Sequence, residues 1–121
     1  MQLHEHFTRQ EFACKCGCGF DTVDAELLGV LIETREHFKS PIIITSGVRC
    51  KRHNAVIGGS DFSQHIQGKA VDFKVTGIHE NAVADYLESK YTTSYGIGRY
   101  TGRTHIDVRE NPARWNNRVG K

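Results

Sequence analysis

Apolar positions recur along this chain with two different periods, and the places where one period gives way to the other mark its elements. Between Asp21 and Phe38, Leu27, Leu28, Leu31, Ile32, the stem of Arg35 and Phe38 fall three and four residues apart, the spacing of one buried helix face. Asp24 stands where an N-cap would accept the first free backbone N–H groups. His79 to Lys90 repeats the pattern, with Val83, Tyr86 and Leu87 inward and Glu80, Asp85 and Glu88 on a solvated face. Between these helices Ser40-Pro41 is a stop, and the β-branched run Ile42 to Thr45 predicts a short buried strand. Ala70 to Val75 alternates with period two, so Asp72 points away from Val71 and Phe73. Tyr95 to Tyr100 and Arg103 to Val108 predict an antiparallel hairpin that turns at Thr101-Gly102.

The remaining stretches are shorter. Thr8 and Glu11 have capping-box spacing, bracketed by Phe7 and Phe12 in the manner of a hydrophobic staple, so a short helix is expected there. Arg49 to Val56 reads as another, ended by Gly58-Gly59, and Ser60 to Gln67 as a loop. Pro112 to Trp115 is expected to begin a last turn of helix over the core. The elements add up to a small α+β fold, with a mixed or mainly antiparallel sheet packed against helices.

Composition narrows the class. A chain of 121 residues predicts a single domain over 1–121, and 38% hydrophobic with 25% charged residues predicts a well-covered globule; its oligomeric state is not legible, and a monomer is the expectation. No apolar run approaches the roughly 20 residues of a membrane span, and the first twenty positions lack the pattern of a secretory signal peptide. The expectation is therefore synthesis in the cytoplasm, with any exit by another route. The net charge of +2 is carried by scattered cations, which excludes the concentrated basic stripe of a nucleic-acid binder but suits weak attraction to an anionic surface.

The chemistry concentrates in Ser63-Gln64-His65-Ile66-Gln67-Gly68-Lys69-Ala70-Val71-Asp72. His65 offers an imidazole nitrogen and Asp72 a carboxylate oxygen, and a catalytic zinc takes three protein ligands of these types while keeping a fourth position open. His105, within the alternating run Thr104 to Val108, is the third candidate, since a strand aims its alternate side chains at one face. Arg49, just beyond the strand end at Ser46-Gly47-Val48, has a planar fork suited to a peptide carboxylate or carbonyl, or else pairs internally with Asp61 or Asp72. Cys14, Cys16 and Cys18 form a tight cluster with Cys50 remote. A second, structural zinc, disulfides and free thiols all remain open for these four, because C-x-C-x-C is closer than the usual structural-zinc spacing.

Taken in order, Ser46-Gly47-Val48-Arg49, His53-Asn54, Gly58-Gly59, the S-x-H-x-x-G-x-A-x-D run, His105-Ile106-Asp107 and Arg114-Trp115 resemble the zinc D-Ala-D-Ala carboxypeptidase family of peptidoglycan peptidases. That family shares its fold with the hedgehog signalling domain. The resemblance implies a zinc at His65, Asp72 and His105, with Arg49 and Ser63 toward a peptidoglycan peptide substrate. It also implies hydrolysis of bacterial wall peptides, and the missing signal-peptide pattern favours a phage-type lytic or virion-associated enzyme acting on the wall after release. A zinc-bearing but non-catalytic wall-binding or structural phage module is the alternative.

One departure matters. Many members carry a glutamate or aspartate three residues before the last histidine, as general base towards the attacking water, and here that position is Gly102. Asp107, two residues beyond His105 on the same strand face, is the candidate to act as base or to orient His105; a pairing with Arg103 or Arg109 is the structural alternative. His53 and Glu110 are further possible bases.

Overall fold

A computed structural model describes residues 2–4, 7–14, 23–47 and 68–117 of the chain. In order the elements are β1 (Gln2–His4), β2 (Phe7–Thr8), α1 (Arg9–Phe12), α2 (Ala25–Phe38), β3 (Ile42–Ser46), β4 (Ala70–Val75), α3 (Glu80–Lys90), β5 (Gly96–Tyr100), β6 (Arg103–Asp107) and β7 (Ala113–Asn116). Strands β1 and β2 pair as a small antiparallel ribbon, and the other five form one sheet in the order β3-β4-β6-β5-β7. Every pairing in that sheet is antiparallel except β5 with β7. The class is α+β with a mixed sheet, as the periodicity predicted.

Helix α2 starts where its cap requires. Asp24 holds an extended backbone, and its carboxylate accepts from the N–H groups of Glu26 (2.9 Å) and Leu27 (3.2 Å), filling donors that have no partner inside the helix. Lys39 closes the other end in a left-handed conformation at φ 53° before Pro41. The face that it buries is Leu27, Val30, Leu31 and Thr34, whereas Leu28, Ile32 and Phe38 lie at its border. The hydroxyl of Thr34 tolerates this by donating to the Val30 carbonyl at 2.8 Å. The staple contact also forms, with the rings of Phe7 and Phe12 5.9 Å apart, but α1 begins only after strand β2.

Val71, Phe73 and Val75 of β4, Ile97 of β5 and Ile106 of β6 share one hydrophobic cluster with α2 and with Val83, Ala84 and Leu87 of α3. The helices thus cover one face of the sheet, and alternation sends the intervening residues to the other. Three expectations are corrected here. Strand β3 is an edge with β4 as its sheet neighbour, so only Ile42 is buried and Ile43 stands 53% exposed. The acids of α3 are more than a solvated face: Arg99 of β5 bonds Asp85 at 2.7 Å and Glu88 at 3.1 Å, and Glu80 accepts from the Gly102 N–H at 3.1 Å. Residues 113–116 are a strand rather than a turn of helix. The Arg114 guanidinium grips the carbonyls of Tyr91, Ser94 and Tyr95, and the N–H groups of Ala113 and Asn117 pair with Tyr95 and Arg99, which holds the chain extended along β5.

Two substitutions separate the cap from the core in urea denaturation. Asp24→Ala should cost about 1 kcal/mol of stability, and Leu31→Ala about 2–5 kcal/mol; equal costs would mean that α2 is held by something other than its packed face.

Candidate metal centre

The polar face of the sheet carries the candidate site. The pairing of β4 with β6 sets Asp72 opposite His105 and Ala70 opposite Asp107, so alternation delivers all three chemistry-bearing side chains to one side. Asp72, His105 and Asp107 are all buried, Asp107 completely. Charged groups in such a place need partners, and each has them.

His105 lies between the two carboxylates. Its Nδ1 is 2.9 Å from Asp72 Oδ1, and its Nε2 is 2.7 Å from Asp107 Oδ2. Each ring nitrogen thus faces a carboxylate oxygen, an arrangement that favours the protonated ring. Burial by itself drives the His105 pKa down, but the bonds to Asp107 and Asp72 outweigh it and the net shift is upward.

Asp107 receives five hydrogen bonds. Besides the imidazole, the Arg109 guanidinium grips it through Nε and Nη2, each at 2.7 Å, and the backbone N–H groups of Gly96 (3.0 Å) and Arg109 (3.3 Å) complete the set. Burial would raise the Asp107 pKa, yet the bonds from His105 and Arg109 prevail and hold the carboxyl well below the usual carboxylate range. Gly96 makes the arrangement possible: a Cβ there would run into the Asp107 carboxylate and Arg109.

A wall of aromatic and cationic groups flanks these residues. The Trp115 ring lies 4.9 Å from the His105 ring, centroid to centroid, and its Nε1–H donates to the Tyr100 hydroxyl at 2.8 Å. Gly98, opposite Trp115 in the β5–β7 register, leaves room for the indole, since a Cβ at that position would penetrate it. The sequence reading put Trp115 over the core, and the parallel strand β7 instead sets it over the site. The guanidinium of Arg109 lies 5.4 Å from the same indole, and that of Arg103 sits 4.2 Å over the Tyr100 ring.

Of the residues singled out from sequence, the fold brings together Asp72, His105 and Asp107, and Asp107 also makes the anticipated pairing with Arg109. His65, Arg49 and Ser63 lie outside the described residues, as do Cys16, Cys18 and Cys50. Strand β3 ends beside the site, with Ser46 opposite Asp72, before the chain runs on towards Arg49. Gly102 occupies the hairpin turn at φ +84°, so no side chain acts from that position. Gly96 and Gly98 escaped sequence reasoning as site residues, and Arg109 and Trp115 entered it only as a pairing partner and as part of the family motif. The Gly-x-Gly inside a predicted strand was the available signal, because such glycines mark close approach of other groups.

Among the described residues no group of three or more His, Cys, Asp or Glu converges on one point, so a second, cysteine-held ion gains no support. Asp107 does not complete such a group because the imidazole stands between it and Asp72. The chemistry of the pair that does converge fits zinc nonetheless. Nδ1 and the Asp72 carboxylate are N and O donors of the right kind, and a cation between them would take the place of the shared proton. The other ring nitrogen is already fixed by a carboxylate, the arrangement that ligating histidines show almost always.

A family model described as Peptidase M15 matches residues 5–107 of the chain. No curated protein is similar enough to count as a match.

The close fit around Trp115 gives a direct test. Gly98→Ala should lower stability by about 1–3 kcal/mol through overpacking, and the fluorescence of the one tryptophan in the chain should shift to the red as the indole moves into water. An unchanged spectrum would show that the indole does not lie on Gly98.

Proposed function

The chain belongs to the peptidase M15 family of zinc D-Ala-D-Ala carboxypeptidases, and on that premise we propose that it is a lytic enzyme of phage type, free or virion-associated, that cuts the peptides of bacterial cell walls. A zinc metallopeptidase acting on peptidoglycan is the activity of the family in general. The finer reading includes either removal of a terminal residue or cleavage within the stem or cross-link. Action on the wall after release is supported by the mildly basic charge, which suits an anionic surface. Residues 1–121 are read as one domain because the described helices and the main sheet share one hydrophobic cluster.

The observation that carries the proposal is the buried Asp72–His105 pair, with its outer nitrogen fixed by Asp107. In this reading His65, Asp72 and His105 hold the zinc, and Arg49 and Ser63 orient the peptide. The chemistry a zinc ion supplies in such a setting is Lewis-acid polarisation of a carbonyl and acidification of a water. Asp107 keeps His105 in one orientation and directs Nδ1 towards Asp72. Its five hydrogen bonds and low pKa make it a poor proton acceptor at neutral pH, so orientation is the better of the two roles anticipated for it. Proton transfer then falls to another group, with His53 and Glu110 as candidates.

Gly102 favours one other reading, a zinc-holding module that binds walls without cutting them. Where relatives place a carboxylate, this chain has a turn whose N–H is bonded to Glu80.

The protein purified without chelator should hold about one zinc per chain and lose it on His105→Ala. Retention of zinc by that variant would sink the ligand assignment. Loss of turbidity from purified walls, with mass spectrometry of the released fragments, separates enzyme from binder. Asp107→Asn should lower zinc affinity or activity about 10–100-fold. A fall of ~10²–10⁴-fold in rate at full zinc occupancy would instead make Asp107 the general base.

A further inference from the structure

Among the described residues four arginines stand on or beside the main sheet, and three are consumed by the scaffold. Arg99 bonds Asp85 and Glu88, Arg109 grips Asp107 through two nitrogens, and Arg114 is filled by backbone carbonyls. Arg103 differs. Its side chain is 42% exposed, and its nearest acid among the described residues is Asp72, whose Oδ2 lies 3.6 Å from Nε. That is longer than a hydrogen bond, and an ion pair so open to water is weak.

The group is nevertheless held in place. It lies flat over Tyr100 at 4.2 Å, and the Tyr100 hydroxyl is fixed by Trp115, whose ring abuts His105. Arg103 also precedes His105 by two residues on β6, so both side chains emerge on the polar face. A planar fork of donors, oriented by an aromatic ring and left without a hydrogen bond among the described residues, stands beside the candidate centre. Such a fork matches a carboxylate through two parallel N–H···O bonds.

We propose that Arg103 is a specificity-determining residue whose guanidinium, stacked on Tyr100 beside Asp72, binds a free carboxylate of the peptide substrate next to the bond that is cut. The inference rests on the peptidase reading and refines it: substrates whose carboxylate is free at that point are preferred over those in which it is blocked. Tyr100 acts through Arg103, as the surface that sets the plane of the fork.

The test uses two uncleavable analogues of an acyl-D-alanyl-D-alanine peptide, with the scissile amide reduced to an amine, one ending in a carboxylate and the other in a carboxamide. Binding to the full chain is followed by calorimetry. The wild-type protein should bind the carboxylate form about 10–100-fold more tightly, the range for bonds to a charged group. Arg103→Gln should erase that preference by weakening the carboxylate form alone. Arg103→Lys, which keeps charge without the planar fork, should recover only part of it. On the cleavable peptide, Arg103→Gln should raise KM more than it lowers kcat. Equal weakening of both analogues, or a preference that survives Arg103→Gln, would overturn the role of Arg103 while leaving the peptidase reading intact. Discrimination by Arg103 in a protein that cuts no wall peptide would overturn that reading and retain the carboxylate anchor.

Discussion

The register between Ala70–Val75 and Arg103–Asp107 is the constraint on which the site depends. It sets Asp72 across from His105 on the polar face while Val71, Phe73 and Ile106 close the core on the other. A slip of one residue would exchange the faces, putting carboxylates into the apolar cluster and leucine-packed side chains into water. Core packing and site assembly are therefore one choice of register. The burial of Val71, Phe73 and Ile106 favours the same alignment that brings an imidazole within 2.9 Å of a carboxylate.

The charges on that face are arranged in a chain of decreasing commitment. Arg109 is tied to Asp107, Asp107 to His105, His105 to Asp72, and Asp72 only loosely to Arg103. Asp107, His105 and Asp72 are buried and satisfied, which a low-dielectric setting requires. The outermost is half-exposed and weakly bound, so the site is stiff at its base and receptive at its rim.

Much of the fold was legible because local signals agreed with the tertiary structure. Asp24 caps the helix it was expected to cap, Thr101-Gly102 turns the hairpin, and the alternation of Ala70 to Val75 sent Asp72 to the correct face. Asp72 and His105 could be paired from sequence because the order and spacing of their motifs resemble those of a known family. The misses share a cause: the deciding partner is remote in sequence. Ala113–Asn116 carries little strand propensity of its own and is extended by pairing with β5 and by the Arg114 clamp. Ile43 looks like core until its strand is seen to be an edge. The acids of α3 look solvated until Arg99 and Gly102 arrive from the following hairpin.

The turn at Gly102 has an evolutionary implication. A carboxylate cannot be placed there by one substitution without strain, because a glutamate or aspartate would have to adopt the left-handed backbone that glycine holds at φ +84°, at a cost of roughly 1–2 kcal/mol. The same exchange would also set a negative charge beside Glu80, which now accepts the Gly102 N–H. Once a lineage has tightened this hairpin around a glycine, the direct mutational route to an acid at that position is uphill. A descendant under selection for proton transfer would be pushed to recruit its acid from another part of the chain.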